Sequence, residues 1–371
     1  GDGDGGGGGG TIKVGLVIPQ AGVYTPLGED MKQGWDLWLE QNDGMLGDYE
    51  VETVIADEGE GPDTGVPAIQ RLLQQENVDV VVGIVNSATA LGAADQFTEA
   101  QKLLVVTNAG AGAITADAAS PYVWRTSFTN AQIAAAMGEH LAAEGVGPVY
   151  VMAPDYAAGQ EVAAGFTAAY EEGGGTIAGQ QLTPFGTTQD YQPFLSGVRS
   201  SGAAATFAFY SGGEAVSFVQ QYDSFGLKDS IPLYGSGFLT EGSVLDAQGE
   251  SAVGVQTTLH YSTEIDNEAN QAFVEAYQAA YDELPTVFGM TTFDTANVLD
   301  EALQSAEGLS GDELSAALEG LGEIEDSPRG PWTFNGQTPE QTIYLREVTD
   351  EGGTLINSVV SDLGSYEQPL G

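Results

Sequence analysis

The tripeptide Asn86-Ser87-Ala88 has the residue types that hold a small anion. It follows an apolar run ending at Val82-Gly83 and opens a segment that reads as a helix. Its amides and hydroxyl therefore sit at the positive end of a helix dipole. Other segments that follow apolar runs share this character. They are residues 19–28, with Tyr24 and Leu27; Thr107-Asn108-Ala109-Gly110-Ala111-Gly112; Pro154-Asp155-Tyr156; Tyr210-Ser211-Gly212-Gly213; and Gly235-Ser236-Gly237-Phe238. All offer small residues, free amides, hydroxyls and rings, with few titratable groups. Such a set binds a small anion through dipoles while rings enclose its apolar part. It serves acid–base catalysis poorly, because neither His nor Lys falls in these loops.

Enzymatic motifs are missing as well. There is no G-x-x-x-x-G-K-[ST] phosphate loop, Gly83 is followed by Ile84-Val85 and not by a dinucleotide fingerprint, and Gly235-Ser236-Gly237 lacks the frame of a nucleophile elbow. The chain has no cysteine and two distant histidines, His140 and His260, which disfavours thiolate chemistry, disulfides and His- or Cys-based metal centres. No catalysis, cofactor or metal is expected.

Loops of this kind need a frame that aims them at one place. Apolar runs at residues 12–18, 51–56, 78–82, 103–106, 149–152, 206–209 and 231–234 read as buried parallel strands. Helical periods lie between them: Met31, Trp35, Trp38 and Leu39, then Val162, Phe166, Ala169 and Tyr170, and later Phe273/Tyr277/Ala280 and Ala296/Leu299/Leu303. Thr129-x-x-Gln132 opens another helix in capping-box style. Two rounds of alternation predict an α/β fold with two similar lobes and mostly parallel sheets. In such sheets ligands bind beyond the carboxyl ends of the strands, where the loops above lie. Residues 332–334 and 343–348 read as late strands at sheet edges.

Composition narrows the partners. The 371 residues hold 54 acids against nine bases, a formal net charge of −45, yet 42% are hydrophobic. That much apolar content supports a folded chain. Four lysines and five arginines scattered over the length cannot form the basic patch that nucleic acid or an anionic membrane surface requires. No apolar run approaches the ~18–20 residues of a membrane helix, so a soluble chain is expected. At about 1 M salt the Debye length is about 3 Å, and so large a negative charge hardly repels itself. In dilute buffer the same charge would destabilise the compact state. The composition thus reads as adaptation to molar salt. Residues 1–10, eight glycines with Asp2 and Asp4, read as a flexible tether. With no signal peptide and no Met, a processed mature chain is expected, and a lipid-modified cysteine just upstream would fit.

The order IKVGLVIPQAG, LGEDMKQGWDLWLEQN, VDVVVGIVNSATA, LVVTNAGAGAIT, SPYVWRTSF, VYVMAPDYAAGQ, LTPFGTTQDYQPFL, IPLYGSGFLT, TTLHYS and SPRGPWTFNGQT…YLREV resembles the leucine/branched-chain amino-acid-binding family. These are the solute receptors of ABC importers, and the likeness runs from residue 11 to about 348. It implies a type I periplasmic-binding-protein fold: two Rossmann-like lobes joined by a three-strand hinge and closing on ligand. Lobe 1 would comprise residues 11–127 plus 259–330, and lobe 2 residues 128–258 plus 331–371. The resemblance also implies a monomer that delivers a small carboxylate ligand to ABC permease and ATPase subunits. Its place would be the extracellular face of the cell membrane, lipid-anchored.

Carried over residue by residue, the family's contacts put Ser87 where a hydroxyl binds the ligand carboxylate and Ala109 where a backbone amide helps. Asn86, Ala88 and Asn108 flank them. Ala111 falls where many members place a threonine, and Tyr156 and Tyr210 where rings close from the second lobe. The acid that usually pairs with an α-ammonium should follow residues 231–234, where Gly237 stands. With Tyr24, Tyr156, Tyr210 and Phe238 in place of that charge, an aromatic or other amine-free acid is one expectation. A branched-chain amino acid whose ammonium meets Asp155 or Glu214 is the other. A ligand-sensing receptor domain without a transport role is the alternative function. Arg125 is expected to anchor the first lobe crossing, and Trp35 and Trp38 to lie in a core.

Overall fold

The computed structural model describes residues 9–116 and 119–368; residues 1–8 of the expected tether lie outside them. The chain begins with β1 (Thr11–Ile18), α1 (Thr25–Gln41), β2 (Met45–Leu46), β3 (Tyr49–Asp57), α2 (Pro62–Gln74), β4 (Val80–Gly83), α3 (Ser87–Ala100), β5 (Leu103–Val106) and β6 (Val123–Arg125). These strands form a six-stranded sheet in the order β2-β3-β1-β4-β5-β6, parallel except for β2. The chain then crosses to α4 (Asn130–Ala143), β7 (Val149–Pro154), α5 (Ala157–Glu172), β8 (Ile177–Thr183), α6 (Gln192–Ser200), β9 (Ala205–Ala208), α7 (Gly212–Ser224), β10 (Leu233–Ser236), α8 (Ser243–Gln248) and β11 (Gln256–Leu259). It returns to the first lobe through α9 (Glu268–Tyr281), α10 (Val287–Leu303) and α11 (Gly311–Glu319), and ends in β12 (Thr333–Asn335), β13 (Thr338–Glu351) and β14 (Thr354–Tyr366). The second sheet runs β12-β13-β11-β10-β9-β7-β8, with β14 paired antiparallel to β13. The fold is α/β in two lobes with mostly parallel sheets.

Central strands are buried on both faces, as their unbroken apolar runs require; β4 and β5 expose none of their valines and leucines. Strand ends move where local chemistry overrides hydrophobicity. The run expected from residue 231 pairs only from Leu233, because Pro232 has no N–H to give and Ile231 donates to Leu227 O at 2.7 Å. The run expected from residue 78 enters the sheet at Val80. Five strands escape apolar-run reading: β2 has two residues, β6 has three, β11 reads QTTL, and β8 and β14 mix polar residues freely. Thr129 caps α4 through Gln132 N, but the Gln132 side chain turns to Pro339 O and Tyr366 O, so the reciprocal half of the capping box is absent.

α10 is buried along most of its length, and its threonines satisfy themselves by donating to carbonyls four residues back, Thr291 to Val287 O at 2.8 Å and Thr295 to Thr291 O at 2.7 Å. It packs on α1 at unusually close range. A Cβ on Gly34 would fall 1.9 Å from Gly289 O, so only glycine lets the two helices meet there. That contact sets the start of α1 beside the start of α10.

Three of the five arginines are buried where the lobes meet. Arg125 donates to Ala109 O, Ala111 O, Phe128 O and Thr115 Oγ1, and burial lowers its pKa to about 9. Arg329 donates to Thr126 O and pairs with Asp294 at 3.0 Å. Arg346 pairs with Glu241 at 2.7 Å and donates to Tyr261 O and Gly237 O.

Candidate ligand-binding site

The carboxyl ends of both sheets face a cleft of about 210 Å³. Its polar end is built on a strained turn. Gly83 has φ +128°, and a Cβ there would fall 2.1 Å from Val17 O. Ile84 follows at φ +75°, a conformation that a β-branched side chain disfavours by about 1–3 kcal/mol. It is held by its amide on Val17 O at 2.9 Å and by its carbonyl, which accepts from Ala109 N at 3.0 Å. The turn aims the next two amides, Val85 N and Asn86 N, at the buried Glu58 carboxylate, each at 2.8 Å. Burial nevertheless pushes the Glu58 pKa up to about 7, against the lowering by those amides.

Asn86 then caps α3 by accepting from Thr89 N, which leaves Ser87 in the first turn. Ser87 Oγ accepts from Ala111 N at 3.1 Å, so its own proton is free to donate into the cleft. Asn86, Ser87, Ala88 and Asn108 all line that wall, with Tyr24, the residue before α1, and Leu27 in its first turn.

Aromatic rings make up much of the remainder: Phe128, Tyr156, Phe209, Phe238 and Phe288. Tyr156 precedes α5 and stacks on Phe185 at 4.1 Å and 13°. Phe238 bridges Phe128 at 4.8 Å and Phe288 at 6.1 Å. Two acids stand in the wall as well. Glu241, four residues beyond Gly237, is neutralised by Arg346 and accepts from Val287 N at 2.9 Å. Asp30 accepts from Thr286 Oγ1 at 2.8 Å.

Among the described residues no group of three or more His, Cys, Asp or Glu side chains is placed to hold a metal, and no helix is long and apolar enough to cross a membrane. The site offers dipoles and rings around an open cleft, an arrangement that can hold a small anion with an apolar body.

The sequence model of periplasmic binding proteins matches residues 11–354. The chain belongs to the periplasmic binding protein family. A Leu/Ile/Val-binding protein homolog 6 of Brucella melitensis biotype 1 is 30% identical over 370 residues, covering 96% of this chain and 93% of its own. An ABC-transporter solute-binding protein of R. palustris, solved in complex with benzoate, is 34% identical, with TM-score 0.85 over 96% of this chain and 97% of its own. A solute-binding protein of Rhodopseudomonas palustris BisB5, solved with 3,4-dihydroxybenzoic acid, is 30% identical, with TM-score 0.90 over 97% and 99%.

In this binding protein eight of the twelve expected ligand-contact residues line the cleft: Tyr24, Leu27, Asn86, Ser87, Ala88, Asn108, Tyr156 and Phe238. The other four lie behind it. Ala109 N is spent on Ile84 O and its carbonyl on Arg125. Ala111 acts through its amide, which fixes Ser87. Tyr210 is fully buried in the core of lobe 2, packed on Phe218 and bonded to Thr183 Oγ1 at 3.0 Å. Alternate residues at a strand end point to opposite faces, so it is Phe209 that reaches the cleft. Gly237 is buried against Leu259, where a Cβ would fall 2.6 Å from that side chain.

Asp155 and Glu214, the expected alternative ammonium partners, are absent from the cleft wall; Asp155 accepts from Gln160 Nε2 and Glu214 from Gly186 N. Reading loops after strands missed Asp30, Phe128, Glu241 and Phe288. Asp30 had one available signal, its spacing three residues past Leu27 on the same helix face.

Proposed function

We propose that this protein is the extracellular receptor of an ABC importer and that it carries a small aromatic carboxylate. One observation carries the proposal: a free hydroxyl and a helix N-terminus at Ser87 face a cleft walled by six rings. The carboxylate takes the Ser87 hydroxyl and the first amides of α3, a site that dipoles make favourable for an anion. Tyr24 and Tyr156 enclose the ring from the two lobes. Ligand that touches both lobes favours the closed form, which permease subunits then recognise. The ligand leaves unchanged.

Benzoate and 3,4-dihydroxybenzoic acid in the two relatives above support this ligand class. So does the absence of a side chain at Gly237, together with the engagement of Glu241 by Arg346, which takes two positions beyond β10 out of reach of an α-ammonium. The excess of acids supports a protein working in molar salt, and the glycine-rich composition of residues 1–10 supports a tether to the outer membrane face. The lobe limits expected from sequence, 11–127 plus 259–330 and 128–258 plus 331–371, are proposed as the two moving bodies of a monomer.

Titration calorimetry in 2 M KCl with benzoate, 4-hydroxybenzoate, phenylalanine and leucine tests the assignment. Benzoates are expected to bind and leucine to give no heat. Tight leucine binding with silent benzoates overturns it.

A further inference from the structure

Three acids with low exposure stand around the cleft, and their surroundings differ. Glu58 is held by two amides at 2.8 Å. Glu241 is held by the Arg346 guanidinium and the Val287 amide. Asp30 has only the Thr286 hydroxyl, on one oxygen; its other oxygen makes no hydrogen bond among the described residues. No cation faces it. Its charged neighbours are Glu283, Glu241 from the second lobe and Glu29 on its own helix, all of which disfavour a further negative charge, and the phenol of Tyr277 nearby stays neutral. Burial and these acids push its pKa up to about 7.

A carboxylate in such surroundings is destabilising for the fold. Groups of this kind, sitting in a cleft without a structural partner, are candidates for a role toward a ligand. Thr286 Oγ1 accepts from Gly289 N while donating to Asp30, so the geometry holds Asp30 as an acceptor.

We propose that Asp30 accepts a hydrogen bond from a donor that the ligand carries at the end remote from its carboxylate. The placement follows from α1. Tyr24, Leu27 and Asp30 lie along one wall of the cleft, and six residues of helix span about 9 Å. Tyr24 at the near end lies within electrostatic reach of Glu58, the acid beneath the Asn86 turn. Asp30 stands two turns further on, beside the ring of Phe288. With the carboxylate at Ser87, a donor across an aromatic ring reaches further along this wall than an α-ammonium one carbon from its carboxylate. The ligand class is therefore a benzoate with a hydroxyl or an amine opposite the acid. This inference rests on the aromatic-carboxylate proposal above.

The test is calorimetry with benzoate, 4-fluorobenzoate, 4-hydroxybenzoate and 4-(aminomethyl)benzoate on the full chain and on Asp30→Asn and Asp30→Ala. Wild type is expected to favour one or both donor-bearing ligands over benzoate and 4-fluorobenzoate by at least about tenfold, the effect of one hydrogen bond to a charged group. Whichever donor ligand binds tighter identifies a neutral or a cationic remote group. Both variants are expected to erase the preference, bringing the donor-bearing ligands to the affinity each variant shows for benzoate and 4-fluorobenzoate. In Asp30→Asn the Thr286 hydroxyl keeps the amide oxygen and turns the NH2 toward the ligand. Benzoate binding without donor preference, or an equal loss for every ligand in the variants, overturns the role of Asp30 and leaves the aromatic-carboxylate assignment standing. Failure of all four ligands on wild type removes both.

Discussion

The Ala111 amide donates to Ser87 Oγ at 3.1 Å and orients the one hydroxyl at the polar end of the cleft. The position where many family members place a threonine thus acts here through its backbone amide. Arg125 fixes Ala111 in turn, taking its carbonyl and that of Ala109. The chain of contacts runs from a buried guanidinium through a loop to a hydroxyl proton.

Ser87→Ala removes that proton donor. Benzoate affinity is expected to fall about tenfold, the scale of one hydrogen bond to a carboxylate. The Ala111 amide also loses its acceptor, so unfolding free energy should drop by about 1 kcal/mol. Calorimetry and denaturant titration measure the two separately; unchanged affinity would place the anion elsewhere.

Tyr156 and Tyr210 should separate cleanly. Tyr156→Ala strips a stacked ring from the cleft wall and is expected to weaken benzoate binding by about 1–3 kcal/mol. Tyr210→Phe breaks only the bond to Thr183 in the core. It should lower stability by about 1 kcal/mol and leave affinity alone. A loss of affinity in Tyr210→Phe would mean that the core tyrosine reaches the ligand in another state of the clamp.

Stability of the unliganded protein should fall as pH rises from about 4 to 8. Asp30 and Glu58 both have folded pKa values of about 7, above their unfolded values of 3.8 and 4.5. Folding therefore retains protons that the unfolded chain loses, and this contribution is complete below the unfolded values and vanishes as pH passes about 7. Thermal melts in 2 M KCl across this range check the slope, which Asp30→Asn should flatten.

Removing salt should unfold the protein or expand it. With a formal charge of −45, lengthening the Debye length from about 3 Å in molar salt to beyond about 10 Å in dilute buffer restores self-repulsion. Circular dichroism in about 50 mM and 2 M KCl reports the change, and benzoate should shift the salt midpoint downward by binding the folded state. An unaltered spectrum without salt and without ligand argues against salt adaptation.

The frame was legible because its central strands are buried on both faces and leave apolar runs such as LLVV in β5. Other strands left no such trace: β8, at a sheet edge, carries Gly179, Gln180 and Gln181, and β11, between β13 and β10, has two threonines. The anion end of the cleft was legible for a local reason, since strand, turn, cap and helix start all lie within residues 80–89. The far end was not. Asp30 meets Thr286 across 256 residues, and what joins them is a glycine-to-glycine contact between α1 and α10 that no periodicity announces. The exchange of Tyr210 for Phe209 was a matter of one residue in strand register.

The internal placement of Arg125, Arg329 and Arg346 leaves six cationic side chains to offset the acids everywhere else. Acids from both lobes therefore act on the same ground: Glu214 from the second and Glu60 from the first both raise the pKa of Tyr24 at the cleft. Ionic strength then acts on more than folding. For the proposed two-lobe clamp it also sets the work of bringing the lobes together, so salt would behave as a silent co-ligand of closure, and the same solute should be held more tightly as the medium becomes saltier.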